Sequence, residues 1–388
     1  MCCRLCLIYD DALFKEEQSL ILSSSFLVHP MCLCEMKIQI ILFLLLFTLL
    51  CSSSDAFQCI GEDGLQVDWY IIYKLPREVG NSDKLLSYGV KYMYMDARRP
   101  VWRESKNRIH DLNGSLALTL QPIYDRINNT DTMLLMYNDA YPNNTVNWNA
   151  GHCKGVVAFD SFFGIWLIHS IPKFPLPTTF LYPNTGKVYG QTALCISFDQ
   201  NALPLIAKQL EYNAPGVYAS RLPVVLAQKI PSLANIISGV QTVQPPYYSI
   251  TKLKSLGGRS FVHFAKHKKW KKELYVDLVA PTLKSELFVE TWRHGGRENL
   301  PSNCSETFTV ENIKRIRFSD DVDFDFASDH SKWAVSQIKK KTVCVGDINR
   351  QKSQLNRSGG TMCISIKNIW KAFYTTVAAV ELCPIPPY

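Results

Sequence analysis

The chain has 388 residues, of which 47% are hydrophobic and 20% are charged, and its formal net charge at neutral pH is +8. After residue 56 there is no low-complexity linker and no abrupt change of composition, which excludes a largely disordered protein. The remaining chain of about 330 residues is long enough to bury a large core, as one domain or as two tightly packed halves.

The first 56 residues differ from the rest. Met36 and Lys37 precede an apolar run over residues 38–50, and small residues at Ser54 and Ala56 follow it. This pattern predicts a secretory signal peptide over 36–56, because the apolar run is too short for a comfortable membrane span. Residues 1–35 form a Cys-rich N-terminal extension without a globular pattern, so Met36 is an alternative start. An internal signal anchor is the less favoured interpretation.

Without residues 1–56, which hold three basic and six acidic side chains, the net charge rises from +8 to about +11. A basic surface of this size favours a polyanionic partner, although ordinary solvation of a secreted protein would also explain it. No stable association with a membrane is expected once the signal is removed. The choice between a monomer and a homodimer stays open.

Strands are predicted where β-branched and aromatic residues cluster between Gly, Pro, Asn or Asp. They fall at residues 68–73, 155–159, 165–169, 192–198, 332–335, 342–345 and 361–365. Helical patterns lie at 202–211, at 222–237 with an interruption at Pro231, and at 368–379, while 324–330 is predicted to be a loop. The expected fold class is therefore α+β, or more generally mixed α/β.

Two short motifs, His152-x-Lys154 and His330-x-Lys332, carry the chemistry. Residues i and i+2 of a strand point to the same face, so each imidazole should stand beside an ammonium group. Lys neutralises a phosphoryl oxygen, and a pair of His residues can supply a nucleophile and a proton donor for phosphodiester cleavage, without a metal or another cofactor. The alternative is two hydrogen-bonded structural histidines. A third such spacing, at His267, lies in a polar run.

Cysteines and sequons also indicate export. Of 13 cysteines, six precede residue 57, so seven remain, and an oxidising compartment would pair six of them. Cys153 is the natural unpaired one, since strand alternation points it away from its two motif neighbours and into packing. Sequons for N-glycosylation occur at Asn113, Asn128, Asn143, Asn303 and Asn356.

Nine segments together resemble deoxyribonuclease II, in the order of that family and over essentially the whole mature chain. They are VDWYIIYKLP (67–76), LMYND (135–139), GHCKG (151–155), WLIHSIPKFP (166–175), YGQT (189–192), PSNCS (301–305), DHSKW (329–333), CVGDINR (344–350) and WKAF (370–373). The resemblance implies a lysosomal or secreted acid endonuclease that cuts double-stranded DNA without a metal and leaves 3′-phosphates. It also implies a phospholipase D-like, pseudo-dimeric fold, in which each half supplies one His-x-Lys motif and the halves meet near residues 200–250.

The same resemblance implies roles for single residues. His152 is assigned as nucleophile and His330 as general acid, although the two roles could be exchanged, and Lys154 and Lys332 bind the phosphoryl oxygens. His169 is a family position that fits either site support or a hydrogen-bonded core histidine. The family pattern further implies the disulfides Cys59–Cys195, Cys304–Cys383 and Cys344–Cys363.

This chain departs from the pattern in two respects. Cys153 stands where the family commonly has Thr. The acid that phospholipase D-type motifs place after Lys with four residues between them is missing: Asp160 lies one residue later than that position, and the second motif has no such acid. Cys153 and the altered start of the chain make a paralogue that binds DNA or a host partner without cutting an alternative. A lipid phosphodiesterase is a weaker one, suggested only by the chemistry of the phospholipase D superfamily.

Contacts with DNA are predicted at two basic segments, although ordinary solvated surface is an alternative for each. The residues are Lys266, His267, Lys268, Lys269, Trp270, Lys271 and Lys272 in one segment, and Arg293 and Arg297 in the other. Such contacts reach phosphates and carry little sequence specificity.

Overall fold

The computed structural model describes residues 56–293, 298–337 and 340–383. The chain divides into two compact units, Met1–Ser54 and Asp55–Tyr388, and all described residues belong to the second. The predicted extension over 1–35 lies outside the described residues, as does the predicted signal peptide apart from Ala56. Within the described ranges, no helix is both long and apolar enough to cross a bilayer.

Strands dominate the described part of the chain. They are β1 (Cys59–Ile60), β2 (Gln66–Val67), β3 (Trp69–Lys74), β4 (Tyr92–Asp96), β5 (Arg103–Glu104), β6 (Met133–Tyr137), β7 (Gly155–Phe159), β8 (Phe163–His169), β9 (Gln191–Asp199), β10 (Val217–Arg221), β11 (Tyr248–Lys254), β12 (Ser260–Lys266), β13 (Leu287–Glu290), β14 (Val310–Ser319), β15 (Val322–Asp325), β16 (Trp333–Ser336), β17 (Val343–Gly346), β18 (Gly359–Ile364) and β19 (Val377–Val380).

The helices are shorter and lie between the strands. They are α1 (Lys84–Ser87), α2 (Ser115–Asp125), α3 (Asn184–Val188), α4 (Leu203–Asn213), α5 (Val224–Lys229), α6 (Pro231–Ile237), α7 (Ala280–Leu283) and α8 (Lys367–Tyr374). Single 3-10 turns occur at Gln200–Ala202, Lys268–Trp270, Phe326–Ser328 and Lys352–Asn356, and a π-helical turn occurs at Tyr275–Val279.

Two large sheets contain most of the strands. The first has the order β10-β6-β7-β8-β9-β3-β4-β5, and the second has the order β11-β12-β18-β17-β16-β13-β14-β15 with β19 beside β14. Neighbouring strands are antiparallel throughout the first sheet. In the second sheet β13 and β14 are parallel, whereas the other neighbours are antiparallel. The fold is thus mixed α+β, as predicted.

The main hydrophobic core lies between the two sheets. Trp69, Ile71 and Tyr73 alternate along β3 and belong to the same buried cluster as Trp333 and Val335 of the second sheet. The intervening residues of β3 belong to a second cluster, which α2 covers on the outer face of the first sheet. Because both faces of β3 are covered, the strand is a continuous apolar run rather than an alternating one.

The sequence predicted seven of the nineteen strands in the described residues and three helical segments. Each predicted strand is present, and the predicted helix over 222–237 is divided in two, since Pro231 begins α6 at a position where a helix needs no backbone N–H donor. The prediction for 368–379 was wrong at its end. The helix α8 stops at Tyr374, and the β-branched and small residues that follow form β19 against β14.

The disulfide prediction is confirmed. The bonds are Cys59–Cys195, Cys304–Cys383 and Cys344–Cys363, and Cys153 is free and buried. The Cys153 thiol lies in the core shared by the sheets, 3.6 Å from the carbonyl oxygen of Asn213. Burial raises the pKa of this thiol well above its ordinary value, so it is an inert packing group rather than a reactive one.

Candidate active site

Each His-x-Lys motif lies immediately before a central strand of its own sheet. Lys154 precedes β7 in the first sheet, and Lys332 precedes β16 in the second. The carbonyl of Lys154 accepts a hydrogen bond from the amide of His169, and the carbonyl of Lys332 accepts one from the amide of Gly346. The neighbouring strand therefore binds the backbone of each lysine. The prediction that each His-x-Lys pair lies within a strand was wrong, because both strands begin one residue after the lysine.

Two reciprocal backbone hydrogen bonds join the motifs across the sheets. The amide of His152 donates to the carbonyl of Ser358, which precedes β18 in the second sheet, at 2.8 Å. The amide of His330 donates to the carbonyl of Gly190, which precedes β9 in the first sheet, at 2.9 Å. Each histidine is thus positioned by the sheet that does not carry it. The two motifs, 178 residues apart in the chain, form a single site.

A carboxylate stands beside the first motif. Asp139, two residues beyond β6, forms an ion pair with the ammonium group of Lys154 and lies 3.2 Å from the guanidinium of Arg357. The carboxylate oxygen that faces Arg357 is also 3.8 Å from Nε2 of His152. Burial by itself would raise the pKa of Asp139, but the cations Lys154, His152 and Arg357 outweigh it and hold that pKa below the ordinary value.

Aromatic rings surround the second motif instead. The imidazole of His330 stacks on Tyr189 with centroids 4.0 Å apart and an interplanar angle of 7°. Trp292 packs against the same imidazole at 4.2 Å. The ammonium group of Lys332 donates to the carbonyl of His330. Neighbouring Asp329 is buried and accepts hydrogen bonds from Tyr73 and Ser331, so it supports the loop.

The charges of the two motifs influence each other. Burial lowers the pKa of His152 well below its ordinary value, and the ammonium groups of Lys154 and Lys332 lower it further. Burial and the Lys154 ammonium also lower the pKa of Lys332 to about 7, against the opposing effect of nearby carboxylates such as Asp329. Such shifts are expected where several cations share a buried cleft, and a bound anion would relieve them.

Two buried carboxyl groups at the site were not singled out from the sequence. Burial raises the pKa of Asp347, which follows β17, to about 8, although Lys154 and Lys332 oppose the rise. Burial likewise raises the pKa of Glu290, at the end of β13, well above its ordinary value. Asp347 lies inside the CVGDINR segment, which was the available signal. Glu290 had none, because a Glu at a strand end is ordinary in sequence.

Arg357 is a third residue that sequence reasoning missed. Besides its contact with Asp139, its guanidinium donates to the carbonyl of Ala150 at 2.9 Å. It therefore joins the segment before β18 to the loop that carries the first motif. Nothing in the local sequence distinguishes it from a surface arginine, since it lies within an N-glycosylation sequon.

His169 is placed beside the site but within the core. Its Nδ1 accepts a hydrogen bond from the amide of Ile171 at 3.2 Å, and its ring packs on Phe174. Burial and the Lys154 ammonium lower the pKa of His169 to about 3, so its ring is neutral at any pH at which the protein would work. Because the amide of His169 donates to the carbonyl of Lys154, His169 can position Lys154 through the backbone.

The basic segment 266–272 divides into buried and exposed residues. Lys266 is fully buried and donates to the carbonyls of Gln354 and Leu355, while His267 is buried against Gln241. These two side chains are unavailable to a ligand at the surface, so that part of the DNA-contact prediction is corrected. Lys268 and Trp270 are half-buried, and the lysines at 269, 271 and 272 are exposed.

Arg293 also departs from the expected surface role. It is buried, donates to the carbonyl of Ile313 at 2.7 Å and lies over the ring of Phe326. Its burial follows from these contacts, and the prediction that it binds DNA is corrected. Arg297 lies outside the described residues. Four predicted glycosylation positions, Asn113, Asn128, Asn143 and Asn356, are exposed, and Asn303 is half-buried.

Comparison with known proteins agrees with this arrangement. The profile of the Deoxyribonuclease II family matches residues 58–383. Plancitoxin-1 of Acanthaster planci is 40% identical over 85% of this chain and 94% of its own length. Cell death-related nuclease 6 of Caenorhabditis elegans is 38% identical (88% and 93%), and deoxyribonuclease-2-alpha of Rattus norvegicus is 37% identical (88% and 98%). The chain therefore belongs to the deoxyribonuclease II family of phosphodiester-hydrolysing endonucleases.

Proposed function

We propose that the protein is a metal-independent acid endonuclease that hydrolyses phosphodiester bonds of double-stranded DNA and leaves 3′-phosphates. The observation that carries the proposal is the single site made by His152 and His330, each held by the opposite sheet. Family membership supports the nuclease activity. The site chemistry supports the choice of mechanism.

In the first step, a neutral ring nitrogen of His152 attacks phosphorus. The bond between phosphorus and the 5′ oxygen breaks, and protonated His330 gives its proton to that oxygen. In the second step, water attacks the phosphohistidine, neutral His330 takes a proton from the water, and the bond between phosphorus and His152 breaks. The products are a 5′ hydroxyl and a 3′-phosphate, and both histidines return to their starting states.

The environments of the two histidines favour this assignment of roles. The lowered pKa of His152 keeps its ring neutral in acid, as a nucleophile requires. His330 lies against the faces of Tyr189 and Trp292, whose π-electrons stabilise a neighbouring cation. An imidazolium at His330 is therefore the natural proton donor.

The lysines and Asp347 account for a preference for acid. Lys154 and Lys332 would bind the non-bridging oxygens and stabilise the negative charge that develops on them. With a pKa of about 7, Lys332 carries its charge fully only in acid. Asp347, with a pKa of about 8, is neutral in acid, whereas its anion would repel the phosphate at higher pH. Both ionisations therefore favour catalysis below neutrality.

We infer that the two sheets are pseudo-symmetric halves. The row β6-β7-β8-β9-β3 of the first sheet has a counterpart in the row β13-β16-β17-β18-β12 of the second. The strands of both rows follow one another along the chain in the same sequence, and each motif precedes the second strand of its row. The boundary falls between β10 and β11, which is within the predicted range of 200–250.

The half-buried Lys268 and the exposed lysines at 269, 271 and 272 supply part of the proposed DNA surface. The amide of Lys268 donates to Oγ of Ser358 at 2.9 Å, and the carbonyl of Ser358 holds His152. Ser358 therefore links the basic segment to the backbone of His152, the proposed nucleophile.

The disulfides and exposed sequons support delivery through the secretory pathway, to lysosomes or outside the cell.

The test is nicking of supercoiled plasmid by purified, glycosylated protein at pH 5 in EDTA, with His330→Ala as the matched control. Cutting that persists in EDTA and is lost in the variant supports the proposal. Intact plasmid with a folded wild type would falsify it, and equal cutting by both proteins would place the activity elsewhere. The non-cutting alternative was motivated by Cys153, whose side chain packs in the core and does not reach the phosphate site.

A further inference from the structure

A second concentration of positive charge lies on a cavity of the first half, away from the predicted DNA segments. The cavity has a volume of about 380 Å³, and its lining includes Lys84, Arg108, His110 and Lys187, with the ring of Tyr88. No acidic residue contributes to this lining. A cavity lined in this way suits an anion, and the 66% exposed ring of Tyr88 offers a platform for a planar group.

The backbone carbonyl of Lys187, a lining residue of the cavity, makes close contacts with Gly89 and Lys74. Gly89 has φ of +66°, and a Cβ at this position would approach the carbonyl oxygen of Lys187 to 2.0 Å. Only glycine permits this approach. The same carbonyl accepts a hydrogen bond from the buried ammonium of Lys74 at 2.8 Å. These contacts fix the backbone of Lys187, from which its side chain lines the cavity.

The cations of this cavity are not neutralised by the protein. Among the described residues, Lys84, Arg108 and Lys187 form no ion pair. Burial lowers the pKa of His110, and the ammonium of Lys187 lowers it further, while Asp111 at 3.9 Å opposes the shift. Positive charges held together without a counterion favour binding of an anion.

The chain itself connects this cavity to the catalytic histidines. Lys187 is two residues before Tyr189, which stacks on His330, and three residues before Gly190, whose carbonyl binds the His330 amide. Three residues span at most about 11 Å. Successive phosphates of one DNA strand advance by about 3.4 Å along the helix axis. A strand with its scissile phosphate at the histidines therefore reaches the cavity within a few nucleotides.

We propose that the cavity lined by Lys84, Arg108, His110 and Lys187 is a second phosphate-binding subsite, which holds the DNA backbone a few nucleotides from the scissile bond. The proposal rests on the proposed function, since it takes DNA as the ligand. The subsite positions the substrate and takes no part in bond cleavage. It lies on the His330 side, whereas the exposed lysines at 269, 271 and 272 lie on the His152 side.

The experiment measures DNA binding without cleavage. A duplex of about 20 base pairs is titrated by fluorescence anisotropy with His330→Ala protein between 50 and 200 mM salt. The same protein is compared after adding Lys84→Ala, Arg108→Ala and Lys187→Ala. The slope of log K against log salt is negative, and each lost phosphate contact reduces its magnitude by about 0.9. We therefore expect the magnitude to decrease by about 2 to 3 in the triple variant.

The control adds Lys252→Ala, Lys254→Ala and Lys371→Ala, which remove the same charge from exposed positions elsewhere. Lys252 and Lys254 lie toward the hairpin end of β11, the end opposite to Lys266. We expect a decrease in slope of less than 1 for this control. Equal slopes in the two triple variants, or no binding by the parent, would overturn the subsite, whereas plasmid cutting by the wild type tests the nuclease activity separately.

Discussion

The two His-x-Lys motifs occupy matching backbone positions but different chemical surroundings. His152 lies beside a carboxylate and two cations, with Asp139 at 3.8 Å and Lys154 and Arg357 around it. His330 lies between aromatic rings at 4.0 and 4.2 Å. The two motifs precede equivalent strands of the two sheets, while the side chains around the two imidazoles differ. In the proposed mechanism these neighbours, rather than the motifs themselves, make His152 the nucleophile and His330 the proton donor.

The largest effect should come from removing either histidine, and the leaving group distinguishes their roles. We expect His152→Ala and His330→Ala each to lower kcat by about 10³-fold or more on ordinary DNA. A 5′-bridging phosphorothiolate needs no proton on its leaving sulfur. It should therefore restore the first step of cutting by His330→Ala, with accumulation of the phosphohistidine because the base of the second step is missing, and leave His152→Ala inactive. The measurement is single-turnover oligonucleotide cleavage at pH 5. Rescue of His152→Ala instead would exchange the two roles.

The carboxylate of the first motif should have the next largest effect. Asp139→Asn leaves Lys154 and Arg357 without their counterion, and we expect a loss of about 10- to 100-fold in kcat/KM together with a lower melting temperature. Asp160→Asn, a substitution outside the site, is the matched control for a lost carboxylate. Activity of Asp139→Asn within twofold of wild type would show that Lys154 is positioned by other contacts.

Removing the rings around the second motif should have a smaller effect. A cation–π contact is worth about 0.5–2 kcal/mol, so Trp292→Leu should lower kcat by about 2- to 30-fold. Since an imidazolium at His330 would lose stabilisation, the alkaline limb of the pH–rate profile should move to lower pH. Trp370→Leu, which removes a ring that stacks on Tyr374, is the control. An unchanged profile for Trp292→Leu would mean that the rings only fill space.

The smallest effect at pH 5 is expected for Asp347→Asn, which keeps a neutral side chain there. Activity should stay within about threefold. The folded-state pKa of about 8 exceeds an unfolded value near 4, so between these pH values the folded protein binds the extra proton and stability falls as pH rises. The melting temperature of Asp347→Asn, relative to wild type, should therefore increase between pH 4 and 7. A constant difference across this range would show that Asp347 is already ionised.

Local patterns predicted much of the fold because they depend on neighbours in sequence. The apolar, partly β-branched run at 155–159 was recognisable as a strand from its composition alone, and Pro231 divided a helix since it lacks an N–H donor. The helix predicted at residues 375–379 was wrong, because pairing with β14 overrode a helical pattern. The predicted DNA contacts of Lys266 and Arg293 were wrong for a similar reason, since both side chains are buried. Burial depends on what packs over a residue, and nothing in a basic segment reveals it.

The sequence by itself determined the identity of the reacting groups, their spacing, the unpaired Cys153 and the family that the whole set of segments resembles. Only the tertiary structure decided which neighbours those groups have. Asp139 and Trp292 each follow a strand that neighbours the motif strand of the same sheet. Arg357 and Tyr189 come from the opposite sheet, and they reach the histidines because the two sheets pack together and exchange backbone hydrogen bonds. Reactivity follows from distances of a few ångströms, and such distances between remote segments exist only once the chain has folded.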